Sequence, residues 1–180
     1  MTRAAVFLDR DGVLNRAVVR DGKPFPPQTL DDFEILEGVE RALHRLKGAG
    51  FVLVVATNQP DVAKGTQRRE VVDAMHDRLR ATLPLDAIKV CWCLEGPQCD
   101  CYKPKPGLLL EAARELNVDL SRSFMVGDRW RDVGAGQAAG CFTIFLDRGY
   151  AEPLTVRPDA TCCSLEDAIS VILARHGGSH

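Results

Sequence analysis

The chain carries little net charge, no long hydrophobic run and no internal repeat, and each absence excludes a class of protein. Its 23 Lys and Arg residues and 25 Asp and Glu residues give a formal net charge of −2, and the basic residues are scattered, so no nucleic-acid-binding surface is indicated. The longest apolar runs, such as residues 51–56, are far too short to span a bilayer. No apolar leader precedes the first strand-like segment. We therefore expect a cytoplasmic protein that binds neither nucleic acid nor a membrane.

The size and composition of the chain predict one globular domain. At 180 residues and 46% hydrophobic content, the chain can bury a substantial core. We place this domain at residues 1–176 and expect residues 177–180 to form a disordered tail. The expected assembly is a monomer.

Short apolar segments alternate with amphipathic segments along the chain. Strands, rich in β-branched residues, are predicted at residues 4–8, 51–56, 88–92, 123–126 and 142–146. Helices are predicted at residues 38–49, 68–82, 106–116, 130–139 and 165–174. This alternation predicts an α/β fold with an open, doubly wound (Rossmann-like) parallel sheet. In such a sheet, ligands bind beyond the carboxyl ends of the strands.

Residues 16–34 separate the first predicted strand from the first predicted helix. The segment is polar and contains the sequence Gly-Lys-Pro-Phe-Pro-Pro. We predict a loop or flap over the site that helps to contact the substrate, and the alternative is an inert surface loop. The chain has no insertion large enough for a separate cap domain, so this flap should form one wall of an open site.

Two aspartates, Asp9 and Asp11, follow the first predicted strand and are succeeded by Gly12. Residues i and i+2 of an extended segment point the same way, so both carboxylates can face one site while Arg10 faces away. Gly12 permits a sharp turn directly afterwards. Two carboxylates at a strand end can hold a hard cation, or can divide the roles of nucleophile and proton donor.

Polar groups also follow the second and third predicted strands. Thr57, Asn58 and Gln59 offer a hydroxyl and two amides, which suit phosphate oxygens or a developing charge. Lys103 precedes Pro104, which keeps the lysine in an extended conformation, and its ammonium could neutralise a phosphoryl group. Taken alone, the first group could be an ordinary turn and the second a solvated surface lysine.

Asp128 and Asp132 follow the fourth predicted strand, one helical turn apart on the same face. Asp128 could complete a magnesium site with Asp9, and Asp132 could orient those ligands without touching the ion. The alternative is a helix-capping aspartate and a surface aspartate. Arg129 directly follows Asp128, which makes it a candidate substrate contact.

Four of the seven cysteines lie within eleven residues, as two Cys-x-Cys pairs separated by five residues. They are Cys91, Cys93, Cys99 and Cys101. Four thiolates in so short a segment suit a structural zinc ion with no open coordination position. The alternatives are free thiols or disulfides, and disulfides are rare in the cytoplasm. The remaining cysteines, Cys141, Cys162 and Cys163, are predicted to be buried structural thiols.

Together these motifs resemble those of the haloacid dehalogenase (HAD) superfamily of phosphotransferases, over essentially the whole chain. In order, they are Asp9-x-Asp11-Gly12, Thr57, Lys103 and Gly127-Asp128-x-x-x-Asp132. The resemblance implies that Asp9 attacks phosphorus. It also implies that Asp11 first protonates the leaving alcohol and then deprotonates the attacking water. The first of these two roles requires a raised pKa of Asp11. The resemblance also implies a catalytic magnesium ion held by the Asp9 and Asp128 carboxylates and the Asp11 backbone carbonyl.

The cysteine-rich segment, residues 91–101, is called the zinc loop below. It resembles the branch of the superfamily that contains heptose-bisphosphate and histidinol phosphatases, where a Cys-x-His pair and a Cys-x-Cys pair run into the lysine motif. Here Cys93 stands in the histidine position, and we expect zinc binding to survive. Tyr102 replaces an arginine that helps to contact substrate in that branch, and Pro60-Asp61 replaces Ser-Gly.

The resemblance implies a magnesium-dependent phosphatase for a small phosphosugar. The first candidate reaction is removal of the 7-phosphate from D-glycero-D-manno-heptose 1,7-bisphosphate. Predicted substrate contacts are Arg10, Asn58, Gln59, Tyr102 and Arg129. The alternatives are a histidinol-phosphate or other phosphosugar phosphatase, and, outside enzymes, an inactive phosphate-binding or zinc-scaffold protein. The lack of a basic groove disfavours a phosphatase for nucleic-acid ends.

Overall fold

The computed structural model describes residues 2–178 and has a six-stranded sheet at its centre. Across the sheet, the strands run in the order β5 (Ala87–Cys91), β4 (Val52–Asn58), β1 (Ala5–Leu8), β6 (Phe124–Gly127), β7 (Phe142–Leu146) and β8 (Ala160–Cys162). Every neighbouring pair in this sheet is parallel. The prediction of an open, doubly wound parallel sheet is confirmed.

Helices cover both faces of this sheet. One face carries α1 (Val39–Gly48), α3 (Arg69–Thr82) and α6 (Leu165–Gly177), and the other carries α4 (Gly107–Leu116) and α5 (Trp130–Ala139). A short helix, α2 (Pro60–Ala63), follows β4, and a single 3₁₀ turn occupies Leu120–Arg122. None of the described helices is long and apolar enough to cross a membrane.

Strand β1 contributes side chains to both hydrophobic cores. Val6 and Leu8 pack in the core beneath α1, α3 and α6, whereas Ala5 and Phe7 pack in the core beneath α4. Side chains of a strand alternate between the two faces of its sheet, and here both faces are covered. This double burial explains why β1 is apolar at every position. It also fixes the direction in which the residues after Leu8 point.

The sequence did not predict the edge strand β8. It has three residues, of which Cys162 alone is buried, so it lacks an apolar pattern. Cys163 was predicted to be buried, but it is exposed because it follows the end of this strand and points outward, whereas Cys141 and Cys162 are buried as expected. Helix α6 extends to Gly177, one residue beyond the predicted domain boundary. Of the predicted tail, residues 179–180 lie outside the described part of the chain.

The predicted flap, residues 16–34, contains an antiparallel hairpin of β2 (Val18–Arg20) and β3 (Lys23–Phe25). Asp21 and Gly22 form its two-residue turn with φ values of +50° and +71°, as a type I′ turn requires. The Asp-Gly pair is itself a local signal for such a turn, and the hairpin was not predicted. The Ala151 N–H donates to the Gly22 carbonyl at 2.7 Å, which ties the hairpin to the segment after β7. No separate cap domain occurs within residues 2–178.

Candidate active site

A cavity of about 600 Å³ lies at the carboxyl edge of the sheet, where segments from several strands converge. Its wall includes Asp9, Asp11, Thr57, Asn58, Tyr102, Lys103, Arg129, Arg131 and Asp132, together with Lys23–Pro26 of the hairpin and Ala151–Pro153 after β7. This volume is typical of a site for a small molecule. The position is the one that a doubly wound sheet predicts for its ligand.

Lys103 lies at the centre of this site as a buried cation. Its ammonium donates to Asp9 Oδ1 at 2.9 Å, to Asp132 Oδ1 at 2.6 Å and to the Ala56 carbonyl at 2.7 Å. Burial opposes the charged amine, but the carboxylates of Asp132 and Asp9 outweigh it and raise the pKa of Lys103. The site therefore holds a fixed positive charge directly beside the Asp9 carboxylate.

Asn58 at the end of β4 fixes the backbone of this lysine. Its amide nitrogen donates to the Lys103 carbonyl at 3.2 Å, and its Oδ1 accepts from the Lys103 N–H at 3.0 Å. Because these bonds occupy both the amide nitrogen and the oxygen of Asn58, this side chain positions Lys103, although it also lines the cavity. The neighbouring Thr57 hydroxyl accepts from Gln59 Nε2 at 3.0 Å, which leaves its own proton free to donate into the cavity.

Asp128 gives the test of whether the site suits a divalent cation. Among the described residues, neither of its buried oxygens has a hydrogen-bond partner, and the neighbouring Tyr150 hydroxyl only partly offsets the effect of burial on the pKa of this carboxyl. Carboxylate oxygens of Asp9, Asp128 and Asp132 lie within 4.8 Å of one another. Burial, followed by Asp132, raises the pKa of Asp9 to about 6, and burial with Asp9 raises the pKa of Asp128. A crowded group of carboxylates, one of which has both oxygens unpaired, fits a magnesium ion.

Two glycines allow the carboxylates to approach so closely. Gly12 has a φ of +85°, and a Cβ there would lie 1.8 Å from Asp128 Oδ2. At Gly127, a Cβ would lie 2.1 Å from Asp132 Cβ. The glycine next to each aspartate in the two sequence motifs is therefore required by packing.

Asp132 uses both of its oxygens on the protein. Its Oδ1 accepts from Lys103, and its Oδ2 accepts from the Arg129 N–H at 3.0 Å, at the start of α5. A carboxylate engaged in this way can orient Lys103 and the helix start, while the oxygens of Asp128 remain available. The expected role of Asp132 in orienting the magnesium ligands stays a prediction.

Asp11 is surrounded by hydrogen-bond donors. Arg10 Nη2 donates to its carboxylate at 2.9 Å, Asn15 Nδ2 at 2.9 Å and Gln59 Nε2 at 3.0 Å. Burial opposes ionisation, but the Arg10 guanidinium and these hydrogen bonds outweigh it and hold the pKa of Asp11 below its usual value. The raised pKa that an acid role requires is therefore absent in this arrangement, which favours the carboxylate form of Asp11.

Arg10, predicted as a substrate contact, lies beneath the site. It is fully buried, its Nη1 lies 3.2 Å from His76 Nε2, and its guanidinium centre lies 5.9 Å from the centre of the Phe33 ring. It follows Asp9 on the opposite face of the strand, which turns it away from the cavity. Gln59, another predicted contact, is also buried and does not line the cavity. The cavity does include Asn58, Tyr102 and Arg129.

His76 on α3 makes the stability of the fold sensitive to acid. Burial and the Arg10 guanidinium lower the pKa of His76 to about 3, so the folded protein keeps this ring neutral while the unfolded chain protonates it near pH 6.5. We expect the free energy of unfolding to fall as the pH drops from 6.5 towards 3, with about 2 kcal/mol lost from this group by pH 5.

Urea unfolding at pH 7 and pH 5 measures this effect. His76→Gln keeps an acceptor for Arg10 but has no group that titrates in this range. The free energy of unfolding of this variant, relative to that of the original chain, should therefore be higher at pH 5 than at pH 7. His44→Gln, at an exposed position on α1, is the matched control. An equal stability difference for His76→Gln at both pH values would contradict the prediction.

The zinc loop brings its four thiols together beside the site. The Sγ–Sγ separations given by the contacts among Cys91, Cys93, Cys99 and Cys101 range from 2.7 to 3.9 Å, and all four atoms lie within 4.8 Å of one another. Lys105 Nζ donates to the Gly96 carbonyl at 2.9 Å and the Cys99 carbonyl at 2.6 Å, which closes the loop. Burial opposes ionisation of Cys99, but hydrogen bonds from neighbouring thiols lower its pKa to about 7. The cluster fits a tetrahedral metal ion.

Several residues at or near the site were not named from the sequence. Asn15 and His76 support Asp11 and Arg10, and Glu152 binds Arg129 with two contacts of 2.8 and 2.6 Å. Arg131 lines the cavity from the first turn of α5. Of these residues, only Asn15 could have been found from the sequence, because it closes the turn that begins at Gly12. The others reach the site from elements whose orientation only the fold defines.

Comparisons with known proteins agree with this geometry. The model of the HAD-hydrolase-like family matches residues 100–168. The chain is 38% identical over 163 residues to the D-glycero-beta-D-manno-heptose-1,7-bisphosphate 7-phosphatase of Escherichia coli, with 84% of this chain and 82% of that protein covered. It is 35% identical over 188 aligned positions to the protein of the same name from Yersinia pestis, with 96% of each covered.

A solved structure is similar over nearly the whole chain. It is a D,D-heptose 1,7-bisphosphate phosphatase from B. bronchiseptica, complexed with magnesium and phosphate. The two chains superpose with a TM-score of 0.78 and 31% identity, covering 96% of this chain and 99% of the other. The similarity therefore includes both the sheet and the segments that form the cavity.

Proposed function

This chain belongs to the HAD-like hydrolases and is a phosphatase, and on that premise we propose that it removes the 7-phosphate from D-glycero-D-manno-heptose 1,7-bisphosphate. The observation that carries the chemistry is the buried Asp9 carboxylate beside the Lys103 ammonium and the unpaired oxygens of Asp128. The substrate is supported by the names of relatives at 35–38% identity.

In the first step, an Asp9 oxygen attacks phosphorus and the bond from phosphorus to the sugar oxygen breaks, which leaves an aspartyl-phosphate. The attacking carboxylate and the phosphate are both anionic, so their repulsion must be offset. Lys103 offsets part of it from a fixed position, and the Thr57 hydroxyl can donate to a phosphate oxygen. The leaving sugar oxygen takes a proton from Asp11. Before this step, the Asp11 carboxylate must gain a proton and break its contacts with Arg10.

In the second step, water attacks phosphorus, the bond from phosphorus to Asp9 breaks, and Asp9 returns to a carboxylate. Asp11 accepts the proton of this water, and its low pKa supports that base role. Asp9, Asp128 and the Asp11 backbone carbonyl would hold the magnesium ion. When bound there, this ion supplies positive charge to the phosphate oxygens.

Turnover measurements on a substrate panel test the proposed substrate. The panel contains heptose 1,7-bisphosphate, histidinol phosphate and a 5′-phosphorylated oligonucleotide, each assayed with magnesium for kcat/KM. We expect the heptose bisphosphate to give the highest value. A clearly higher kcat/KM for either of the other compounds would overturn the proposal.

We also propose that the four clustered thiolates of the zinc loop hold a structural zinc ion. Protein purified without a chelator should contain about one zinc per chain by elemental analysis. Cys99→Ser should lose the metal, lower the melting temperature and reduce activity, because the lysine at position 103 lies two residues after the last ligand. Cys163→Ser is the matched control, since this exposed cysteine lies outside the cluster. Metal-free original protein, or unchanged zinc content in Cys99→Ser, would contradict the proposal.

A further inference from the structure

Several cationic side chains line the cavity. They are Lys23, Lys64, Lys103, Arg129 and Arg131. Lys103 is committed to the reacting phosphate through its contact with Asp9. A substrate with two phosphates, as in the proposed function on which this inference rests, brings a second anionic group that does not react. That group needs its own partner in the cavity, and the remaining four cations differ in how well they could serve.

Among these four, the Arg131 guanidinium lies between two aromatic rings. Its centre lies 4.7 Å from the centre of the Trp130 ring and 5.4 Å from that of the Tyr102 ring. Its Nη1 also lies 3.4 Å from the Lys103 carbonyl oxygen, which connects it to the backbone of the catalytic lysine. A guanidinium held by aromatic rings and a carbonyl keeps its planar fork oriented, and that fork matches two phosphate oxygens.

The carboxylate partner of Arg131 can be displaced. Glu95 of the zinc loop accepts from Nη1 at 2.8 Å and from Nη2 at 3.0 Å, and its side chain is 59% exposed. An ion pair with so exposed a partner is weak, so Glu95 can rotate into solvent when a phosphate arrives. Arg129 differs, because its partner Glu152 has a side chain that is only 20% exposed.

The two lysines, Lys23 and Lys64, would hold a phosphate in a less well-defined position. The Lys64 side chain is 52% exposed and pairs with Asp61 three residues earlier in the chain. Lys23 projects from the exposed hairpin. Flexible ammonium groups can add attraction, but they do not fix the position of a phosphate as a planar guanidinium does.

From these contacts we propose that Arg131 binds the phosphate of the substrate that is not cleaved. It fixes how far that group lies from Asp9 and thereby selects sugars that carry two phosphates over sugars that carry one. The product, a sugar 1-phosphate, keeps this group and therefore competes with substrate for the same arginine.

Kinetics on a matched substrate pair test this role. The pair is heptose 1,7-bisphosphate and heptose 7-phosphate, which lacks the distal phosphate. Arg131→Gln should raise KM for the bisphosphate roughly 10- to 100-fold, with heptose 7-phosphate changed by no more than about twofold. Arg131→Lys should recover part of the loss, because it keeps the charge but not the fork. Arg122→Gln, at an exposed position away from the cavity, is the control.

The possible failures are distinguishable. If the original protein does not turn over the bisphosphate best among the three compounds of the panel above, the proposed function itself fails, and this inference fails with it. If the protein does so but shows no preference for the bisphosphate over heptose 7-phosphate, only the role of Arg131 is overturned. The same holds if the preference survives in Arg131→Gln, or if this variant loses activity equally on both substrates.

Glu95→Gln gives a second, opposite test at an exposed position. Removing the competing carboxylate should lower KM for the bisphosphate about two- to fivefold and leave heptose 7-phosphate unaffected. The aromatic rings and the Lys103 carbonyl still hold Arg131 in this variant. An unchanged or higher KM for the bisphosphate would count against the proposal.

Discussion

Replacing Asp9 with asparagine is expected to lower kcat by about 10⁵-fold while the protein remains folded. The amide has nearly the same shape as the carboxylate but lacks the charged oxygen that attacks phosphorus. Lys103 keeps its contacts with Asp132 and the Ala56 carbonyl, so no buried cation is left unpaired. The loss should therefore appear in the chemical step and not in folding.

Phosphate release under saturating substrate measures this loss, and thermal unfolding checks that Asp9→Asn is folded. Asp31→Asn, at an exposed position in the flap, is a matched control that should retain full activity. If Asp9→Asn kept a substantial fraction of the original kcat, the aspartyl-phosphate mechanism would be wrong.

Replacing Lys103 with methionine should damage both activity and stability. Methionine keeps the length of the side chain but leaves Asp9 and Asp132 buried without their cation. We expect a loss of about 3–5 kcal/mol in the free energy of unfolding, as is typical when one partner of a buried ion pair is removed. The kcat should fall about 10³-fold, because the charge that offsets phosphate repulsion is absent.

A second variant separates these two effects. Combining Lys103→Met with Asp132→Asn removes one of the stranded carboxylates, so part of the stability should return while activity stays low. Urea unfolding and steady-state kinetics measure the two quantities. Lys47→Met, which breaks a partly exposed pair with Asp86, should cost about 1 kcal/mol or less. A loss of similar size for Lys47→Met and Lys103→Met would contradict the assignment of Lys103 as a buried charge centre.

The sequence predicted the sheet well because its signals are local. Strands buried on both faces are apolar throughout, as β1 is, and their alternation with amphipathic helices determines the topology. The same logic predicted that polar residues after β1, β4 and β6 would converge, because all parallel strands end at one edge. The hairpin turn at Asp21 and Gly22 is equally local, but the prolines in and after its second strand obscure the strand pattern.

The electrostatic state of the site could not be predicted in the same way. The pKa of Asp11 depends on Arg10, Asn15 and Gln59, which reach one carboxylate from two strand ends. Whether a neighbour stabilises the charge or leaves the group desolvated is decided by ångström-scale placement. For the same reason, the sequence did not show that Arg10 faces His76 or that Arg131 reaches the cavity from α5.

The hydrogen bond between Ala151 and Gly22 has a consequence for how the sugar enters. It joins two segments that line the mouth of the cavity, while the carboxylates and Lys103 lie deeper, at the strand ends. Breaking one backbone hydrogen bond in contact with water costs about 1 kcal/mol, far less than disturbing a packed core. We therefore expect the hairpin to move aside for a bulkier sugar without displacing the carboxylates or Lys103.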